Sequence, residues 1–195
     1  MTATMTTEEH KSRSDRSYKL LLLFAMISMI MMFAGLTSAF VVSKSRADWL
    51  KDFQLPTAFY FSTAVIMGCS ITFHLAKKAI QKDNQQATTS FLLAALALGV
   101  LFVVLQFVGF GQIVESGYYF TGVESSITTT FLYIVTVVHL LHLAGGLIAL
   151  CVIVFKQLKG RYNSVQTLGI ELGAMYWHFL DLLWIYLFLF LFLFK

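Results

Sequence analysis

The sequence predicts an all-α fold, an integral membrane bundle of five transmembrane helices with the N-terminus cytoplasmic and the C-terminus outside. Three observations predict it. Hydrophobic residues make up 58% of the 195-residue chain and charged residues only 12%, with a mean hydropathy of +0.76, so its surface must face lipid rather than water. A single proline, Pro56, and abundant Phe, Trp and Tyr favour long apolar helices over the short alternating strands of a barrel. Five segments are long and apolar enough to cross roughly 30 Å of hydrocarbon, which takes about 20 residues of helix.

The chain opens with a polar tail, residues 1–19, ending in Lys11, Arg13, Arg16 and Lys19, and continues as one transmembrane domain over 20–195. The tail reads as mobile. The apolar run after it is about twice as long as the apolar part of a cleaved signal peptide, and so reads as a retained first span. The spans run from Leu20 to Val42, Pro56 to Ala76, Thr89 to Phe110, Ile127 to Phe155 and Leu168 to Phe194. Pro56 suits the start of the second, where its missing N–H is harmless. The last two are longer than a membrane requires, so they tilt or project beyond it.

Cytoplasmic loops retain Lys and Arg during insertion, which fixes the orientation. One side holds Lys11, Arg13, Arg16, Lys19, Lys77, Lys78, Lys82, Lys156, Lys159 and Arg161; the other holds Lys44, Arg46, Lys51 and Lys195. Ten of fourteen place the N-terminus in the cytoplasm, and the odd number of spans places the C-terminus outside. Gly111 to Ser126, with Glu115 and Glu124 and no Lys or Arg, agrees with an outer loop. The net charge of +4 follows from this bias and implies no nucleic-acid partner. Cys69 and Cys151 lie in apolar runs and read as packing residues, with neither a disulfide framework nor a cysteine metal site.

Ionisable groups in hydrocarbon cost roughly 2.5 to 3.5 kcal/mol each on insertion scales, so those present face protein or water and have partners. The fourth span carries His139 and His142, at i and i+3; the fifth carries Glu171, His178 and Asp181 along one stripe. Two such stripes on consecutive antiparallel helices predict a shared structural cluster in which carboxylates accept from imidazole N–H groups. Rival readings are a metal site, for which two histidines are too few, a haem site using His178 as a second ligand, and a proton relay through Glu171 and Asp181. Gly145, Gly146 and Ala149 on span four, and Ala34, Gly35, Ser38 and Ala39 on span one, are small enough for close helix contact. Gln106 and Gln112 read as hydrogen-bonding links between helices.

The run Tyr176-Trp177-His178-Phe179-Leu180-Asp181-Leu182-Leu183-Trp184, preceded by Glu171, resembles the Glu, Tyr-Trp-His-Phe-Val-Asp and Trp pattern of cytochrome c oxidase subunit III, a subunit of the haem-copper respiratory oxidases. Thr136, His139, His142 and Gly146 resemble the family's Thr-Gly-x-His-x-x-His-x-x-x-Gly segment, with Val137 where Gly is usual. Gly99, Phe102, Gln106 and Gly117 to Gly122 are also similar. The family's longer form has seven helices, and the likeness covers the last five. Met29 follows Ser28 where the family often has an acidic residue.

The resemblance implies a non-catalytic subunit that holds no haem or copper of its own, the redox centres lying in partner subunits. It implies docking on oxidase subunit I, support for proton uptake and active-site stability, contact with subunit II and other subunits, and a place in a respiratory supercomplex. It is compatible with bound phospholipid and with a bacterial cytoplasmic (inner) membrane. On that reading His139, His142, Glu171, His178 and Asp181 are scaffold, with no catalytic, cofactor or metal residue. An independent small transporter or proton channel, and a membrane haem or metal carrier, are the alternatives.

Overall fold

The computed structural model describes residues 7–46, 49–50, 55–120, 126–164 and 166–194, and side chains from Lys11 onward. Of the residues used above, Met1 to Thr6, Lys51, Gly122, Glu124 and Lys195 lie outside the described residues. Five helices make up nearly all of the rest: α1 Thr7–Val42, α2 Thr57–Gln81, α3 Gln85–Glu115, α4 Ile127–Leu158 and α5 Leu168–Phe194. All five are long and apolar enough to cross a membrane. The bounds of α5 coincide with the expected ones. The others run further, because apolar content marks only the hydrocarbon-spanning part while helix continues through Lys77 to Gln81 or Gly111 to Glu115. The largest difference is at the start, where α1 begins at Thr7 and so takes in most of the stretch read as a tail.

Helix ends explain where the elements stop. Three helices close with the same motif: Asp83 (φ 55°), Gly117 (φ 82°) and Gly160 (φ 64°) are left-handed. Behind them the amides of Asn84, Tyr118 and Arg161 reach back to the carbonyls of Ala79, Ile113 and Lys156, satisfying groups a helix end would leave open. Asn84 then caps α3, its side chain accepting from the Ala87 amide at 3.0 Å. Ser126 and Thr129 form a reciprocal capping box at the start of α4.

The core is written as heptads. On α2 the buried residues include Phe59, Ser62, Ile66, Cys69, Phe73, Ala76 and Ile80. On α3 they are Thr88, Leu92, Ala95, Gly99, Phe102, Gln106, Gly109 and Ile113, and α4 repeats the spacing from Leu132 through Thr136, His139, Leu143, Gly146, Leu150 and Ile153 to Gln157. Steps alternating between three and four keep one seam of each helix facing its neighbour in a left-handed bundle. Helices α2 to α5 form that bundle, and α1 packs along α4 and α5 through Met26, Phe33, Thr37 and Phe40. Ala34, Gly35, Ser38 and Ala39 point away from it and are exposed, so among the described residues the small residues of span one do not form the close helix contact expected of them.

Candidate functional site

Helix α5 carries the centre of the molecule. Trp177 and Trp184 are each 1% exposed. The Trp177 ring stacks on Phe73 of α2 and fits because Gly99 and Gly146 have no side chains: a Cβ on Gly99 would stand 3.0 Å from the Trp177 ring, and one on Gly146 would stand 3.1 to 3.4 Å from Leu180, Tyr176 and Trp177. Gly146 is thus the close contact expected of span four, whereas Gly145 and Ala149 are exposed. Trp184 donates its indole N–H to Thr63 at 3.0 Å and meets Phe59, Phe102 and His139.

No hydrogen bond joins any two of His139, His142, Glu171, His178 and Asp181, so the expected cluster of mutually bonded groups does not form; each of the five has its own surroundings. His139 is fully buried, with both ring nitrogens unpartnered, among Phe33, Phe102 and Trp184. The half-buried His142 turns Nδ1 to the Val138 carbonyl of its own helix, 2.7 Å away, while its carbonyl accepts from Tyr176 at 3.0 Å. Glu171 accepts from Lys19 of α1 and from Thr167, both at 2.7 Å. His178 faces α2, its Nδ1 2.6 Å from the Ser70 hydroxyl. Asp181 is 3% exposed. The Ser70 hydroxyl acts on it without reaching the distance and angle of a formed bond, and both carboxylate oxygens are unpartnered.

For His178 and Asp181 the reason is the face they occupy, which meets Ser70 of α2; for Glu171 it is register. Because α4 and α5 run antiparallel, His139 lies at the level of Trp184, and Glu171, thirteen residues earlier, sits roughly 20 Å away along the axis at about 1.5 Å per residue. Parallel α1 and α5 instead begin at the same end, which brings Lys19 to Glu171.

Helix α2 supplies the partners missed from the sequence. Thr63, Ser70 and Lys77 recur every seven residues and meet α5 in turn: Thr63 bonds Trp184, Ser70 bonds His178, and Lys77 lies within electrostatic reach of both His178 and Glu171. His74, one turn from Ser70, places its ring 6.1 Å from that of His178. A polar residue at each seventh position of an apolar helix was the available signal. The expected links from α3 do form: Gln106 donates to Ser62 at 2.8 Å, and Gln112 accepts from the Ala58 amide at 3.2 Å.

Lys11, Lys19, Lys156 and Arg161 gather at one end around a wide recess of about 770 Å³, while Lys44 at the other lies over the rings of Trp49 and Phe194. The recess continues into an apolar groove of about 520 Å³ lined by Leu22, Ala149, Val152, Leu172 and Tyr176. Tyr162, between α4 and α5, lies against Gly169, and burial holds its phenol above the ordinary tyrosine range. Among the described residues no group of three or more His, Cys, Asp or Glu is placed to hold a metal ion. His139 and His142 lack a third ligand, and His142 spends one nitrogen on Val138.

These features define a polytopic helical membrane protein whose polar side chains are held at helix contacts. The chain belongs to the cytochrome c oxidase subunit III family, whose profile matches residues 1–195. It is 28% identical over 165 residues to the probable cytochrome c oxidase subunit 3 of Nocardia farcinica, covering 81% of this chain and 78% of that one. Against the cytochrome c oxidase subunit 3 of Thermostichus vulcanus it is 26% identical, covering 85% of this chain and 82% of the other. Against that of Pelomedusa subrufa it is 31% identical over 71% of this chain, which spans only 49% of that relative's length. The homologues are subunits of cytochrome c oxidase, an oxidoreductase complex.

Proposed function

We propose that this chain is the non-catalytic subunit III of a proton-pumping haem-copper terminal oxidase in the aerobic respiratory chain of a bacterial cytoplasmic membrane, with its N-terminus cytoplasmic and its C-terminus outside. It docks on subunit I, which carries out the oxygen chemistry with the haem and copper of the partner subunits, sustains proton uptake there and protects the active site during turnover. The observation that carries this reading is the family match over the whole chain. The polar groups of α5 fit a scaffold role, since Glu171, His178 and Tyr176 hold α1, α2 and α4 respectively. Subunit II and a respiratory supercomplex complete the expected surroundings.

The groove between α1, α4 and α5 suits a phospholipid, with acyl chains along its apolar wall and the headgroup phosphate near Lys19, Lys156 and Arg161. Purification in a mild detergent tests the assembly: the chain is expected to bring down a large haem-containing subunit and phospholipid. A colourless homo-oligomer would instead support an independent transporter or channel, and a haem spectrum from the chain alone would support a haem carrier.

A further inference from the structure

The polar seam between α2 and α5 contains one group that the scaffold role leaves unused. Asp181 is 3% exposed and neither carboxylate oxygen has a hydrogen-bond partner, although an uncompensated carboxylate in an apolar interior is among the most costly arrangements a membrane helix can hold. Among the described residues no cation is paired with it. The side chain acting on it is the uncharged Ser70 hydroxyl of α2. Trp177, one turn away, has an unpartnered indole N–H. From the other helices packed on α5, α4 presents His139 to Trp184 and the His142 carbonyl to Tyr176, and α1 presents Lys19 to Glu171; none of these acts on Asp181. An acidic side chain so enclosed is suited to hold a proton.

A path leads to it. His74 is exposed, and its ring lies 6.1 Å from that of the half-buried His178. His178 Nδ1 stands 2.6 Å from the Ser70 hydroxyl, and that hydroxyl lies within interaction range of Asp181. Lys77, a turn beyond His74 and in electrostatic reach of His178, marks the end of the seam nearest water.

We propose that Asp181 is a buried proton-binding site, filled and emptied from the Lys77 end of the bundle through His74, His178 and Ser70. Each transfer balances: His178 gains a proton on its outward nitrogen and gives one from Nδ1 to the Ser70 oxygen. Ser70 passes its own hydroxyl proton to the Asp181 carboxylate, and both relay groups return to neutrality with no electron moved. The site is independent of the assembly reading, since every group in it belongs to this chain.

Infrared spectroscopy of the full chain in phosphatidylcholine vesicles tests the proposal. At neutral pH the spectrum should contain the carbonyl stretch of a neutral carboxylic acid that Asp181→Asn removes. In deuterium oxide that band should shift, about tenfold or more slowly in Ser70→Ala than in the native chain, as expected when a positioned proton carrier is lost. Should Asp181→Asn fail to fold, isotopic labelling of the aspartate carboxyl carbons in the native chain gives the same information, because the remaining aspartates lie outside the apolar spans. A spectrum with no aspartic acid band, or exchange at the native rate in Ser70→Ala, would overturn it.

Discussion

Helices α1 and α5 run parallel and are both strongly apolar, yet they are used in different ways. Of the most apolar stretch of α5, 44% of residues are buried within the chain; of α1, 17%. Helix α5 touches α1, α2 and α4 and places its two tryptophans at the centre, whereas α1 is held along one narrow line. Phe33 meets the histidines of α4, Thr37 bonds Tyr186 at 3.1 Å, Phe40 packs on Phe190, and Lys19 reaches Glu171. Composition says how apolar a helix is, but the spacing of its large residues against glycine on neighbouring helices decides how much of it the protein encloses. What α1 leaves open, including Phe24, Met31 and Val42, is available to lipid or to another subunit.

Substitutions should separate the two helices, beginning with the largest effect. Trp177→Ala removes the ring shared by α2, α3 and α4 and should cost about 3 to 5 kcal/mol, measured by denaturant titration of the chain in detergent micelles; a loss near zero would mean the bundle closes without it. Gly99→Ala adds a methyl group 3.0 Å from Trp177 and Leu147 and should cost about 1 to 3 kcal/mol by the same titration. In α1, Thr37→Val loses the Tyr186 contact for about 0.5 to 1 kcal/mol, and amide exchange should quicken around Thr37 while the α2 and α3 protection stays as it was. Lys19→Met should have the smallest effect, below about 1 kcal/mol, since the pair is 42% and 25% exposed and water screens it. Its signature is faster exchange at the start of α1 alone, reversed by Lys19→Arg.

Several features were legible in the sequence and others could not be. Five apolar runs gave five helices, and the bounds of α5, Leu168–Phe194, are those its apolar run marks. Gln106, Gln112 and Gly146 behaved as their chemistry implied, being a polar link or a close approach wherever the apolar pattern turns inward. The partners of Glu171 and His178 were not legible from α4 and α5 alone. Helical periodicity tells which residues share a face, but not which helix that face meets or at what height. The sevenfold recurrence of Thr63, Ser70 and Lys77 carried that information, and it sits on α2, far from the motif it serves. Span one misled for a related reason: its small residues mark a face that could be approached closely, and this chain leaves that face open.

Only Lys82, Asp83 and Asn84 separate α2 from α3, and the left-handed Asp83 folds the chain straight back on itself. So short a link keeps the end of one helix within a few residues of the start of the other, so whichever enters the bilayer first holds its neighbour at the membrane surface, ready to pair along their heptads. A longer connector there would loosen that tether at the cost of the Asp83 and Asn84 contacts, while leaving the heptad seam as it is.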